Sequence, residues 1–86
     1  MENVIQKQWE EIDQKLYKIL VFTDFQEAFA FMVRVSFLAE KYNHHPKWTN
    51  LYNKLEIWLC THDAGEIVTE KDRNMAREID KLLGIE

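Results

Sequence analysis

Apolar residues recur along the chain at two spacings, and the switches between them divide the sequence into six elements. A weakly alternating segment from Gln8 to Asp13, anchored by Trp9 and Ile12, precedes a stronger alternating run, Leu16-Tyr17-Lys18-Ile19-Leu20-Val21-Phe22. Both read as β-strands. Their connection, Asp13-Gln14-Lys15, lacks the Asn-Gly or Asp-Gly pair that tight hairpins favour. Thr23 with Gln26 three residues later predicts a capping box and a helix from Asp24 to about Tyr42. Its expected inward stripe is Phe25, Ala28, Phe29, Met32, Val35 and Ala39, while Phe31, Val33, Phe37 and Leu38 spread apolar surface beyond it.

Asn43 suits the left-handed conformation that ends helices, and Pro46 forbids continuation, so His44 and His45 are expected on a constrained turn. A short extended piece follows around Trp48 to Leu51. From Lys54 to Thr61 the alternation returns, with Leu55, Ile57 and Leu59 on one face and Glu56, Trp58 and Cys60 on the other; His62 joins the second face if the strand runs on. After a loop holding Gly65, Thr69 and Asp72 form a second capping pair. Met75, Ala76, Ile79, Leu82 and Leu83 then mark an amphipathic helix that Gly84 ends. The order β-β-α-β-β-α predicts an α+β fold of two layers, a four-stranded antiparallel sheet with the helices packed on one face.

At 86 residues the chain has room for one domain, expected over 1–86, burying roughly 60% of its unfolded surface. Apolar residues make up 47% of it, which favours a packed core over disorder. The long helix carries more apolar surface than one small sheet can cover, so a homo-oligomer, dimer or tetramer, is expected; cover by the second helix and the loops is the alternative. A net charge of −4 with no basic cluster disfavours nucleic acid and membrane surfaces. The longest apolar run, Ala28 to Val33, is too short to span a bilayer. The single cysteine, Cys60, and the lack of an apolar leader point to the cytoplasm.

Chemistry at neutral pH points to histidine, the side-chain type whose ordinary pKa lies near 6.5. His44 and His45 are adjacent and His62 lies on another element. By composition alone they are as readily a polar loop as a site. Asp72 is accounted for by its capping position, Glu40 by an exposed carboxylate at a helix end, and Trp9 by core packing.

The context adds to this. Glu40-Lys41-Tyr42-Asn43-His44-His45-Pro46, then Trp48, Asn50 and Tyr52, then Thr61-His62, then Thr69 and Asp72, resembles the pterin-4a-carbinolamine dehydratase family. Phe22-Thr23-Asp24-Phe25 through Ala28-Phe29-Ala30-Phe31-Met32 is similar to that family's long helix, and the likeness runs from Trp9 onward. The resemblance implies loss of water from 4a-hydroxytetrahydropterin to give quinonoid dihydropterin. That step recycles the cofactor of aromatic amino acid hydroxylases, so such a hydroxylase is an implied pathway partner. No cofactor or metal is implied.

By the same resemblance His44 and His62 are the acid–base pair and His45 positions the pterin. Glu40 orients or tunes His44, Asp72 supports His62, and Trp9 forms an aromatic wall. Asn43, Cys60, Thr61 and Asp63 are expected at the pocket rim because they flank the histidines in sequence, and Pro46 is expected to bind substrate with them. Many members carry an additional N-terminal helix, expected here to be shortened or absent. Asn43 stands where an Asp is common, and Trp58 is bulky for its strand position.

The resemblance also implies a binding module, because some relatives are dimerisation cofactors of a homeodomain transcription factor acting through the apolar helix. A zinc site from the three histidines and Glu40 has plausible ligands, but adjacent histidines rarely converge on one ion. Cys60 as a nucleophile lacks a neighbouring base in sequence to activate it.

Overall fold

The computed structural model describes residues 5–6 and 8–84. Its elements are β1 (Ile5–Gln6), β2 (Glu10–Ile12), β3 (Lys15–Val21), α1 (Phe25–Tyr42), β4 (Lys47–Leu51), β5 (Lys54–Leu59), a single 3₁₀ turn at His62–Ala64, and α2 (Glu70–Leu82). β1 and β2 both pair antiparallel with the same edge of β3, at opposite ends of it, so together they fill one strand position. β3 pairs with β5 and β5 with β4, all antiparallel, giving the four-position sheet the alternation predicts. The shortened family helix falls largely on residues outside the described ones; Ile5–Gln6, which are described, are strand.

Alternation decides what enters the core. Leu16 and Leu20 of β3 and Leu55, Ile57 and Leu59 of β5 point to one face and are buried. Over that face lie Ala28, Phe31, Val35 and Ala39 of α1 and Met75, Ala76 and Ile79 of α2. The inward stripe of α1 is therefore not quite the expected one. Phe31 is fully buried and meets the Phe22 ring at 5.4 Å, whereas Phe25 and Phe29 stand about half exposed at 49% and 51%. Phe25, Phe29, Val33 and Phe37, each four residues apart, form an exposed apolar row on the opposite side of the helix.

Lys18 occupies an inward position of β3 and is buried. Its ammonium reaches Asp80 of α2 at 2.9 Å and lies 5.3 Å from the centre of the Trp9 ring, whose indole N–H donates to the same Asp80 oxygen at 3.0 Å. The charge is tolerated inside because it is both paired and stacked.

Local chemistry sets the element ends. The α1 cap sits one residue later than Thr23 and Gln26 predict: Asp24 accepts from the Glu27 N–H at 2.8 Å, and Glu27 accepts in return from the Thr23 N–H at 3.0 Å. Two overlapping pairs competed here, and the carboxylates suit the positive helix end better. β2 and β3 join through Asp13 and Gln14, with φ of 52° and 64°, the left-handed pair a twisted two-residue hairpin requires. Among the described residues the Gln14 side chain makes no local hydrogen bond that offsets this conformation, which costs a non-glycine residue about 1–2 kcal/mol. Gln14→Gly should raise unfolding stability by about 0.5–1 kcal/mol after the greater freedom of glycine in the unfolded chain is discounted, a gain visible in urea melts.

On the open face of the sheet Tyr17 donates to Glu56 at 2.6 Å and packs on Trp58, over which Lys47 lies. The Glu56 hydrogen bond first, then burial and the nearby carboxylates, raise the Tyr17 pKa to about 12. The folded state thus holds this proton where the unfolded chain has released it. Stability from the Tyr17–Glu56 contact should be complete below about pH 10 and decline as pH rises towards 12. Subtracting the alkaline absorbance titration of Tyr17→Phe from that of the parent protein should isolate a phenol ionising near 12.

Candidate active site

The end of α1 determines where two of the histidines go. Asn43 takes φ 49°, the Asn43 N–H bonds to the Glu40 carbonyl at 3.3 Å, and the His44 N–H bonds to the Ala39 carbonyl at 3.0 Å. This pair of bonds is the Schellman closure of a helix. It turns the chain so that His44 enters the interior, only 9% exposed, while His45 remains largely in solvent.

β5 stops at Leu59, earlier than the expected strand. Thr61 forms an isolated bridge with Ile67, and the chain enters the 3₁₀ turn at His62, closed by Gly65 with φ 90°. His62 is thus exposed on a turn beyond the strand rather than on its outer face. The capping box at α2 forms as expected: Thr69 N–H donates to Asp72 Oδ2 at 2.8 Å and Lys71 N–H to Thr69 Oγ1 at 3.3 Å.

These three segments enclose a cavity of about 240 Å³. His44, His45 and His62 all line it, together with the expected rim residues Asn43, Cys60, Thr61 and Asp63. Ligand clefts commonly run from about 300 Å³ upward, so this one suits a small ring system rather than a dinucleotide. Lys71, which belongs to none of the candidate residues named above, also lines it and continues with His44 into a smaller cavity of about 90 Å³ beside Tyr42, Asn74 and Met75. The one sequence signal for Lys71 is its place just before Asp72 in the capping box, at the cleft end of α2.

The carboxylates are distributed otherwise than expected. Asp72, fully buried, meets His44 and not His62: His44 Nε2 and Asp72 Oδ1 are 2.5 Å apart. Glu40 meets His45 and not His44, with 2.8 Å between Oε2 and Nε2 on the surface. Which carboxylate reaches which imidazole depends on how α2 docks beside the end of α1. Trp9 builds no wall of this cleft within the chain, because its indole is committed to Asp80. Pro46, partly buried, redirects the chain into β4 and is absent from the cleft lining. The His44 and His45 rings turn to different carboxylates, and among the described residues no group of three or more His, Cys, Asp or Glu is arranged for a metal ion. Cys60 is a free thiol at the rim.

The profile of the pterin 4 alpha carbinolamine dehydratase family matches residues 1–82. The chain belongs to that family. A relative from Rhodopseudomonas palustris, named as a candidate pterin-4-alpha-carbinolamine dehydratase, is 45% identical over 78 residues, covering 88% of this chain and 76% of its own. One of the same name from Prochlorococcus marinus is 47% identical over 74 residues, covering 86% and 76%. A crystal structure from Brucella melitensis, described as a transcriptional coactivator/pterin dehydratase, superposes with a TM-score of 0.79 at 39% identity, covering 85% of this chain and 79% of that one. Among the described residues no helix is long and apolar enough to cross a membrane.

Proposed function

We propose that this protein, as one domain over residues 1–86, dehydrates 4a-hydroxytetrahydropterin to quinonoid dihydropterin by histidine acid–base catalysis. The observation that carries the reading is the convergence of His44, His45 and His62 from two separate segments on one small cleft. In the reaction an acid delivers a proton to the 4a-hydroxyl as the C4a–O bond breaks and water departs. The N5 lone pair forms the C4a=N5 double bond, and a base removes the N5 proton. Hydroxide is a poor leaving group unless protonated, so a placed acid and base lower the barrier without help from a metal or cofactor. His44 and His62 form the acid–base pair and His45, held by Glu40, positions the pterin.

The test follows the ultraviolet absorbance of 4a-hydroxytetrahydropterin with and without the protein. Accelerated decay to the quinonoid product is expected; an unchanged rate would refute the reading. The reaction belongs in the cytoplasm beside an aromatic amino acid hydroxylase that generates the substrate.

The exposed row Phe25, Phe29, Val33 and Phe37 supports self-association through α1, since soluble monomers rarely leave such a surface uncovered. The same row, with the coactivator description of the Brucella melitensis protein, favours a second reading as a partner-binding module. Saturable binding of a partner helix by a protein inert toward the hydroxypterin would favour it over the enzyme.

A further inference from the structure

Asp72 Oδ2 is crowded with donors. Thr69 N–H lies 2.8 Å away, Thr61 Oγ1 2.8 Å and Thr69 Oγ1 3.5 Å, while the two threonine hydroxyls are 2.5 Å from each other. Each hydroxyl has one proton to give. The Thr61 oxygen is the nearer to the carboxylate, so its proton goes to Asp72 and the Thr69 proton goes to Thr61; Thr69 in turn accepts from the Lys71 N–H at 3.3 Å. The direction of the chain is thereby fixed, from Lys71 N–H through Thr69 and Thr61 to Asp72. With Oδ2 filled, Oδ1 has His44 Nε2 as its one partner among the described residues, and a carboxylate there demands a proton on that nitrogen. His44 Nδ1 has no protein partner among the described residues, and the ring lines the cleft.

We infer that Thr69, Thr61 and Asp72 form a one-way hydrogen-bond relay that locks His44 as its Nε2–H tautomer. His44 then meets the substrate through a bare Nδ1 and is the base that takes the N5 proton, leaving the acid role to His62. Thr61 and Asp72 are positioning residues in this scheme. Asp72 also stabilises the imidazolium that forms when His44 accepts the proton, as a buried carboxylate behind an imidazole does. The other charged or titratable groups facing this space are His45, Asp63 and Cys60 from the loops and Lys71 from α2. His62, whose imidazole makes no hydrogen bond to the protein among the described residues, can carry the proton that leaves with the hydroxyl. The base assignment rests on the dehydratase reading; the tautomer does not.

The test is histidine ¹⁵N NMR of the full chain together with steady-state dehydration. In the parent protein His44 should show a protonated Nε2 and a bare Nδ1, an observation that needs no substitution. Asp72→Asn keeps the shape, lets the amide oxygen accept from Thr61 and Thr69, and turns the amide N–H₂ toward Nε2. It should invert the tautomer and lower kcat more than it changes KM. Thr61→Val leaves the carboxylate in place, so the Nε2–H tautomer should persist, while the loosened Asp72 should cost about 10–100-fold in kcat, as loss of a hydrogen-bond partner behind a functional ligand commonly does. Thr61→Ser should restore kcat. A bare Nε2 in an active parent protein, or an Asp72→Asn protein with parental kcat and tautomer, would overturn the relay. A parent protein inert toward the hydroxypterin yet protonated at Nε2 would instead overturn the dehydratase reading and the base role with it.

Discussion

Replacing His62 by alanine is expected to lower kcat for dehydration by about 10²–10⁴-fold while leaving the melting temperature unchanged, the usual worth of a placed proton donor. His62 is the cleaner probe of the two proposed acid–base residues because it is exposed and its imidazole makes no hydrogen bond to the protein among the described residues, so its loss removes chemistry without disturbing packing. His44→Ala should be comparably inactive, but it also leaves Asp72 Oδ1 unpaired in the interior, at a cost of about 1–3 kcal/mol or more for a charged group. The two variants therefore separate activity from stability. Full dehydratase activity in purified His62→Ala protein would remove His62 from the mechanism.

The largest effect on folding is expected at Phe31. This ring is fully buried between the sheet and α1, and Phe→Ala at such sites costs about 3–5 kcal/mol. For a domain of this length each kcal/mol moves Tm by roughly 4–8 °C, so a fall of at least about 12 °C is predicted by calorimetry. Phe29, two residues earlier on the exposed row, should behave differently. Phe29→Glu should leave the secondary structure intact and, if α1 is the self-association face, reduce the mass seen by sedimentation equilibrium. Near-parental stability in Phe31→Ala would mean that the inward face of α1 had been misplaced.

The strands were largely legible because a period of two leaves little freedom: Leu55, Ile57 and Leu59 can only share a face, and they line the core. The helix was harder. Phe25, Phe29, Phe31, Val33 and Phe37 surround most of α1 with apolar groups, and periodicity cannot choose among faces that are all apolar. Contact with Phe22, just beyond the end of β3, made the choice. The histidines were visible as residue types, and their turn followed from Asn43 and Pro46. The carboxylate partners were not, since helix spacing puts Glu40 one turn before His44 and yet the Schellman closure swings His44 away from it to Asp72. For Trp9 core packing holds and the aromatic wall does not, and nothing local to it signals that Asp80 of the last helix awaits both its indole and Lys18.

The αL residue at Asn43 has a consequence for how this surface segment can vary. Neighbouring positions on a helix differ in heading by about 100°, and the bond from His44 to the Ala39 carbonyl counts off where winding stops. One residue fewer before that stop would bring His45 to the place of His44, and one more would bring Asn43 there, sending the wrong side chain to Asp72. Loops at the surface ordinarily absorb insertions and deletions; this one acts as a ruler, and its length is as much a part of the chemistry as the rings it carries.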